Sequence, residues 1–200
     1  MELDADAIDA MRELINIGVG RAAGMLNEIT KCPIILQVPS IRIESLEKLS
    51  GSPDENAPSL STVSLHFQGP MSGVAALVFP PKSAALLVTL MTRDDEEDQD
   101  LDLMRIETLK EVGNIIINAV MGSIANVLEQ HLKYSLPNYQ EIRIAALAQS
   151  LKKTADKRVV LANAHFHLEG TTIDGNILLI LEIGSMDALL EGITRMTPRD

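Results

Sequence analysis

Residues 9–24 read DAMRELINIGVGRAAG, and residues 107–122 read ETLKEVGNIIINAVMG. With a shift of 98 residues, Glu13 falls on Glu111, Asn16 on Asn114, Ile17 on Ile115 and Gly24 on Gly122. The same shift carries Pro39 onto Pro137. Polar residues and prolines at matched places are not what helix propensity or core packing selects, so the matches point to an internal repeat. Further on the register slips by a few residues. Leu65-His66-Phe67 resembles Ala164-His165-Phe166, and Gly73, Leu77, Ser83 and Leu87 resemble Gly175, Leu179, Ser185 and Leu189.

Around these stretches the hydrophobic spacing predicts the elements. Ile8, Met11, Ile15, Val19, Ala22, Leu26 and Ile29 recur at helical spacing, giving a helix over residues 5–30 that Asp4 or Asp6 can cap. Strand-like runs follow at Ile34 to Val38, Ile41 to Leu46, Thr62 to Phe67 and Val74 to Phe79, then a helix from Lys82 to Met91. The second half repeats the order: a long helix from Leu103 to Leu132, strands at Ile142 to Leu147, Arg158 to Leu168 and Ile177 to Ile183, and a helix from Ser185 to Met196. Strand runs separated by turns, without crossover helices, favour antiparallel pairing. The expected fold is α+β: an internally duplicated, pseudo-twofold domain whose mainly antiparallel sheet backs two long motif-bearing helices. One domain over residues 1–200 is expected, with repeats at roughly 5–92 and 103–196 joined by an acidic linker, 93–102.

Composition narrows the function. The chain has 200 residues, 46% of them hydrophobic, and a net charge of −11. That excess of acid would be repelled by phosphates, which argues against binding nucleic acid or an anionic membrane. Much of it is local: Asp94, Asp95, Glu96, Glu97, Asp98, Asp100 and Asp102 have no base among them. The stretch reads as a solvated linker, as the charged start of the next helix, or as a docking site for a basic partner. A single cysteine, Cys32, excludes an internal disulfide and a Cys-rich zinc site and reads as a small buried residue. The acidic start lacks the order of a signal peptide, and Val74 to Met91 is broken by Pro80-Pro81-Lys82, so a soluble cytoplasmic protein is expected. Aromatic residues make up 2%, too few for base-stacking platforms.

The chemistry lies in the repeated trio. Asp9, Glu13 and Asn16, and again Glu107, Glu111 and Asn114, follow steps of four and three, which set each trio on one helix face. Most apolar residues fall on the other side, so exposed side chains are expected. On a single helix this would be an ordinary polar face; its duplication with the same downstream proline favours a site. No helix carries a second His or Asp to complete a metal shell, and no facing carboxylate suits glycoside hydrolysis. A Glu can ion-pair with a Lys of a partner, while an Asn carbonyl accepts a hydrogen bond from a water without repelling a phosphoryl group.

The pattern [D/S]-x3-E-x2-N-x22-P, present in two nearly complete copies, resembles the signature of the CheC-type phosphatases of chemotaxis (CheC, CheX and the flagellar switch protein FliY). The resemblance covers nearly the whole chain and is closest to CheC. It implies hydrolysis of the aspartyl phosphate of a CheY-like response regulator. Glu13 and Asn16 would form one catalytic site, Glu111 and Asn114 the other. Each Glu would contact the regulator's Lys, and each Asn would direct a water at the phosphate. Asp9, Pro39, Glu107 and Pro137 complete the motifs. Mg2+ is expected on the regulator, with no metal or cofactor in this chain. The implied partners are the phosphorylated regulator and, as a further candidate, the deamidase CheD, with the chain itself a monomer. A non-catalytic adaptor of the same family and an unrelated oligomerising α+β protein are the rivals. Two positions depart from the pattern: Glu107 stands where Asp or Ser is usual, and Ile15 where Gly often precedes the Asn.

Other features carry less. His165 and His167 alternate on a strand and face one side, as a metal pair or as cross-strand packing. His131 would meet helix-end carbonyls or solvent. Gly18 and Gly20 lie inside a helical pattern without a preceding strand, which rejects a phosphate loop.

Overall fold

The apolar stripe of residues 5–30 folds as expected into one helix, α1 (Ala5–Thr30). The computed structural model describes residues 5–31, 33–50, 57–92, 101–151, 157–168 and 170–196; Cys32 and the acidic run 93–100 lie outside them. After α1 come β1 (Ile34–Ser45), α2 (Leu46–Ser50), β2 (Leu60–Gln68), β3 (Gly73–Phe79) and α3 (Pro81–Thr92). The second half holds α4 (Leu101–Val127), β4 (Lys133–Tyr134), β5 (Asn138–Ile142), α5 (Ile144–Ser150), β6 (Lys157–Leu168), β7 (Thr171–Glu182) and α6 (Ile183–Met196).

All strands join one antiparallel sheet in the order β1-β6-β7-β3-β2-β4, with β5 also pairing with β2. Exchange β1 with β4 and β5, β2 with β6, and β3 with β7, and the order reads the same from the other edge. The edge strand β1 pairs with β6 of the second half, and β5 pairs with β2 of the first. Neither half therefore holds a complete sheet by itself. The central pair, β3 and β7, is buried on both faces and reads as nearly continuous apolar sequence. On one face, Leu65, Leu77, Phe166 and Leu179 pack in a single core with α1, α3, α4 and α6. On the other, Val74, Val159 and Ile180 pack with Leu46 of α2 and Leu147 of α5.

Gly18 meets Val120: a Cβ on Gly18 would lie 2.5 Å from the Val120 Cα. Leu26 and Ile29, further along α1, share a groove with Val112 and Glu111, earlier along α4. The two helices thus run antiparallel, in contact where Gly18 lets the backbones approach. Both end alike. Lys31 (φ 58°) and Glu129 (φ 52°) take the left-handed conformation, 98 positions apart. The Lys31 N–H donates to the Asn27 carbonyl, and the Gln130 N–H to that of Ala125.

Several expected boundaries need correction. The long helix ends at Val127, not Leu132, because the turn at Glu129 stops it. Of the run Ile142 to Leu147 only Ile142 is strand, closing β5; the Ala-rich part forms α5, as helix propensity favours. The edge strands β4 and β5 and the short α2 had no apolar signature to reveal them. The two runs at 34–38 and 41–46 form one strand to Ser45, with a register shift between Gln37 and Ser40. The last strand begins at Thr171 instead of Ile177.

Candidate functional site

That register shift is where the proline of the motif sits. Gln37 pairs with His165 and Ser40 with Asn163, leaving Val38 and Pro39 in a bulge. Proline has no N–H for the ladder and is tolerated at such an interruption on an edge. The other half does the same. The Ser135 N–H donates to the His66 carbonyl, and Asn138 pairs with Ser64, so Leu136 and Pro137 bulge between them.

Against the first bulge stands Asn16. The Val38 N–H donates to Asn16 Oδ1 (2.8 Å), and Asn16 Nδ2 donates to the Val38 carbonyl (2.9 Å) and to the Arg12 carbonyl (3.1 Å). This two-way contact fixes which end of the amide is which, since a flip would set donor against donor. Both amide hydrogens are consumed. In this half the clamp ties the helix to the residue just before Pro39.

Asn114 is held differently. Asn118 Nδ2 donates to Asn114 Oδ1 (2.8 Å), and Asn114 Nδ2 has no hydrogen-bond partner among the described residues. No bond joins Asn114 to the bulge. The contrast extends to the bulges themselves: Val38 is 1% exposed, whereas Leu136 is 87% exposed. Both Glu13 and Glu111 are exposed, as expected, and neither has a hydrogen bond or ion pair among the described residues. Asn16 and Asn114 are half-buried, which corrects the expectation of largely exposed side chains: the bulge covers one, and the other bonds to Asn118. Asp9 is exposed and pairs with Arg12 (3.2 Å). Glu107 and Pro39 are exposed and Pro137 is half-buried. Because α1 and α4 are antiparallel, the two Glu/Asn pairs lie toward opposite ends of the helix pair as separate places.

The departure at Ile15 has a packing reason. A Cβ on Gly113 would lie 2.5–2.7 Å from Cγ1 and Cβ of Val63, so α4 needs glycine there. The strand correspondence that sets Phe67 on Phe166 sets Val63 on Ala162. At the corresponding place, then, the large residue is on α1 and the small one on β6, within the same core. Ile15 and Ala162 are both fully buried.

Beside Glu111 lies an apolar groove of about 350 Å3 between the end of α1, the end of α3 and α4. Leu26, Ile29, Met91, Val112 and Ile115 line it, together with the carboxylates Glu107 and Glu111. Ile29 is 62% exposed. Pattern reasoning missed this groove because it forms from three elements distant in sequence.

The remaining candidates fall elsewhere. His165 pairs with Asp174 (2.8 Å), and His167 Nδ1 lies 3.0 Å from Thr172 Oγ1. Among the described residues no three metal-ligating side chains gather. His131 is exposed beyond the end of α4. Burial pushes the phenols of Tyr134 and Tyr139 up, and the Tyr139 hydroxyl donates to Glu141 Oε1 (3.0 Å). Among the described residues no helix is long and apolar enough to cross a membrane.

This architecture is a mixed helix and antiparallel-sheet fold shared with flagellar and chemotaxis proteins. The crystal structure of Thermotoga maritima FliY superposes with a TM-score of 0.77 at 20% identity, over 98% of this chain and 100% of that one. The FliM middle domain of Vibrio alginolyticus gives 0.62 at 13% identity, over 92% and 99%. In sequence, the chain is 24% identical over 135 residues to the CheY-P phosphatase CheC of Bacillus subtilis. That match spans 66% of this chain and 65% of the relative, just under two thirds of its length. No family model matches. The fold is thus that of FliY and the FliM middle domain, and the sequence is similar to that of a CheC protein.

Proposed function

We propose that this chain is a phosphatase acting on the aspartyl phosphate of a CheY-like response regulator, and that the Glu111/Asn114 pair does most of the work. The observation that carries the ranking is the Asn114 amide nitrogen, without a hydrogen-bond partner among the described residues and beside the exposed Glu111, set against the clamped amide of Asn16. The likeness to the CheC relative, whose name states that activity, supports the substrate class. The two repeats, 5–92 and 103–196, form one domain in this reading, with the acidic stretch between them.

Phosphoryl transfer leaves the protein chiefly positioning and electrostatics to supply. Glu111 meets the regulator's Lys, and the groove beside it takes apolar surface next to that Lys. The Asn114 amide retains one carbonyl lone pair and two N–H donors, enough to hold a water in line with the phosphorus. Magnesium stays on the regulator, and this chain contributes no metal. Glu111→Gln removes the charge at the docking contact. Affinity is expected to fall about 5- to 100-fold, a charged hydrogen bond contributing ~1.5–3 kcal/mol. Titration calorimetry with a phosphate-mimic-loaded regulator measures it.

The clamp of Asn16 favours a second reading for the first half: a docking surface for a regulator, or for CheD, without turnover. A dephosphorylation assay paired with a binding measurement separates the two, since an adaptor binds the regulator and leaves its phosphate lifetime unchanged.

A further inference from the structure

We infer that Asn118 is a positioning residue for the second site, holding the Asn114 amide in its working orientation. This rests on the phosphatase reading of Asn114. The inference begins from what the two halves do with the same problem. An asparagine on a helix must have its amide oriented if it is to place a water, because a free rotor presents either end. In the first half the backbone of Val38 orients the amide, and in doing so consumes it. In the second half the bulge stands off, with Leu136 in solvent, and among the described residues no backbone group hydrogen-bonds the Asn114 side chain.

Asn118 takes over one half of that contact. Its Nδ2 donates to Asn114 Oδ1 at 2.8 Å, the same length as the Val38 donation to Asn16. It supplies the donor and leaves the amide hydrogens of Asn114 unused. The position that corresponds to Asn118 in α1 is Gly20, which has no side chain, and a Cβ there would meet nothing within 4 Å. The first half therefore lacks the group and uses the strand; the second has the group and leaves the strand open. The donor lies one helical turn beyond Asn114, on the same face, where steps of four align side chains.

The test uses the full chain in an Asn16→Ala background, with a phosphorylated CheY-class regulator carrying its magnesium, and reads kcat and KM separately. Asn118→Ala is expected to lower kcat about tenfold, the equivalent of ~1.4 kcal/mol, with KM unchanged. Asn118→Asp can only accept at neutral pH, so the Asn114 amide turns to donate to it, and kcat falls at least as far. Thermal midpoints within a few degrees of the parent show that both variants fold, alanine being the better helix former. If Asn118→Ala keeps the parental kcat while Asn114→Ala abolishes turnover, the positioning role is overturned and the phosphatase reading stands. If Asn114→Ala also keeps the parental kcat, both fall. A rise in KM at constant kcat would place Asn118 in docking and overturn the inference as well.

Discussion

Replacing Asn114 by alanine is expected to slow regulator dephosphorylation about 100-fold, the usual cost of removing one positioned group that acts on the transition state. Replacing Asn16 is expected to change turnover less than about threefold. The asymmetry follows from hydrogen bonds already made. Asn16 spends both amide hydrogens on the Val38 and Arg12 carbonyls, and its oxygen accepts from the Val38 N–H. Among the described residues Asn114 makes one side-chain hydrogen bond, through its oxygen, and none through its nitrogen. Stability should show the reverse order. Asn16→Ala strands the N–H and carbonyl of a bulged residue that is 1% exposed, and an unsatisfied buried group costs about 1–3 kcal/mol. Asn114→Ala should cost under about 0.5 kcal/mol. Urea denaturation of the two variants, run beside the activity assay, reads both orders. Equal losses of turnover with unchanged stability would mean that the clamp does not distinguish the sites.

The second large effect lies under the helix. Gly113→Ile is expected to destabilise the protein by about 3 kcal/mol, at the upper end for overpacking, because even its Cβ would press on a stiff β-branched side chain. The nearest atoms, Cγ1 and Cβ of Val63, leave 2.5 and 2.7 Å. Adding Val63→Ala reproduces the combination of Ile15 on α1 with Ala162 on β6 and should recover at least half of the loss. Val63→Ala alone opens a cavity and costs about 1–3 kcal/mol, so the double variant should be far from additive. Additive losses in urea midpoints would show that Ile15 and Ala162 do not exchange volume in this way.

What the sequence revealed, and what it hid, divides along physical lines. The motif helices and central strands were legible because burial on fixed faces imposes a period on the residues: α1 ends at Thr30 as its spacing predicts, and β3 and β7 read as apolar runs. The edge strand Asn138–Ile142 was hidden because its residues are exposed or only partly buried and carry no such period. The stretch Ile144–Ser150 misled for the opposite reason: a short apolar run fits a strand or a buried helix, and alanine decides for the helix. At the site, Glu13 and Glu111 stand out in solvent as their helix face requires. The inequality of Asn16 and Asn114 could not be seen, because it arises from a contact across 22 residues with backbone that every residue possesses. A trace was nonetheless present in Gly20 standing where the other half has Asn118.

A phosphatase destroys the phospho-signal, whereas an adaptor shelters it. The two are told apart by release of inorganic phosphate from a phosphorylated CheY-class regulator, with this chain present at about one hundredth of the regulator's concentration. The regulator's phosphate is expected to disappear many times faster than by its own hydrolysis, with each molecule of this chain turning over repeatedly. Saturable binding of the phosphorylated regulator, together with a phosphate lifetime that does not shorten even at equimolar chain, would overturn the phosphatase reading.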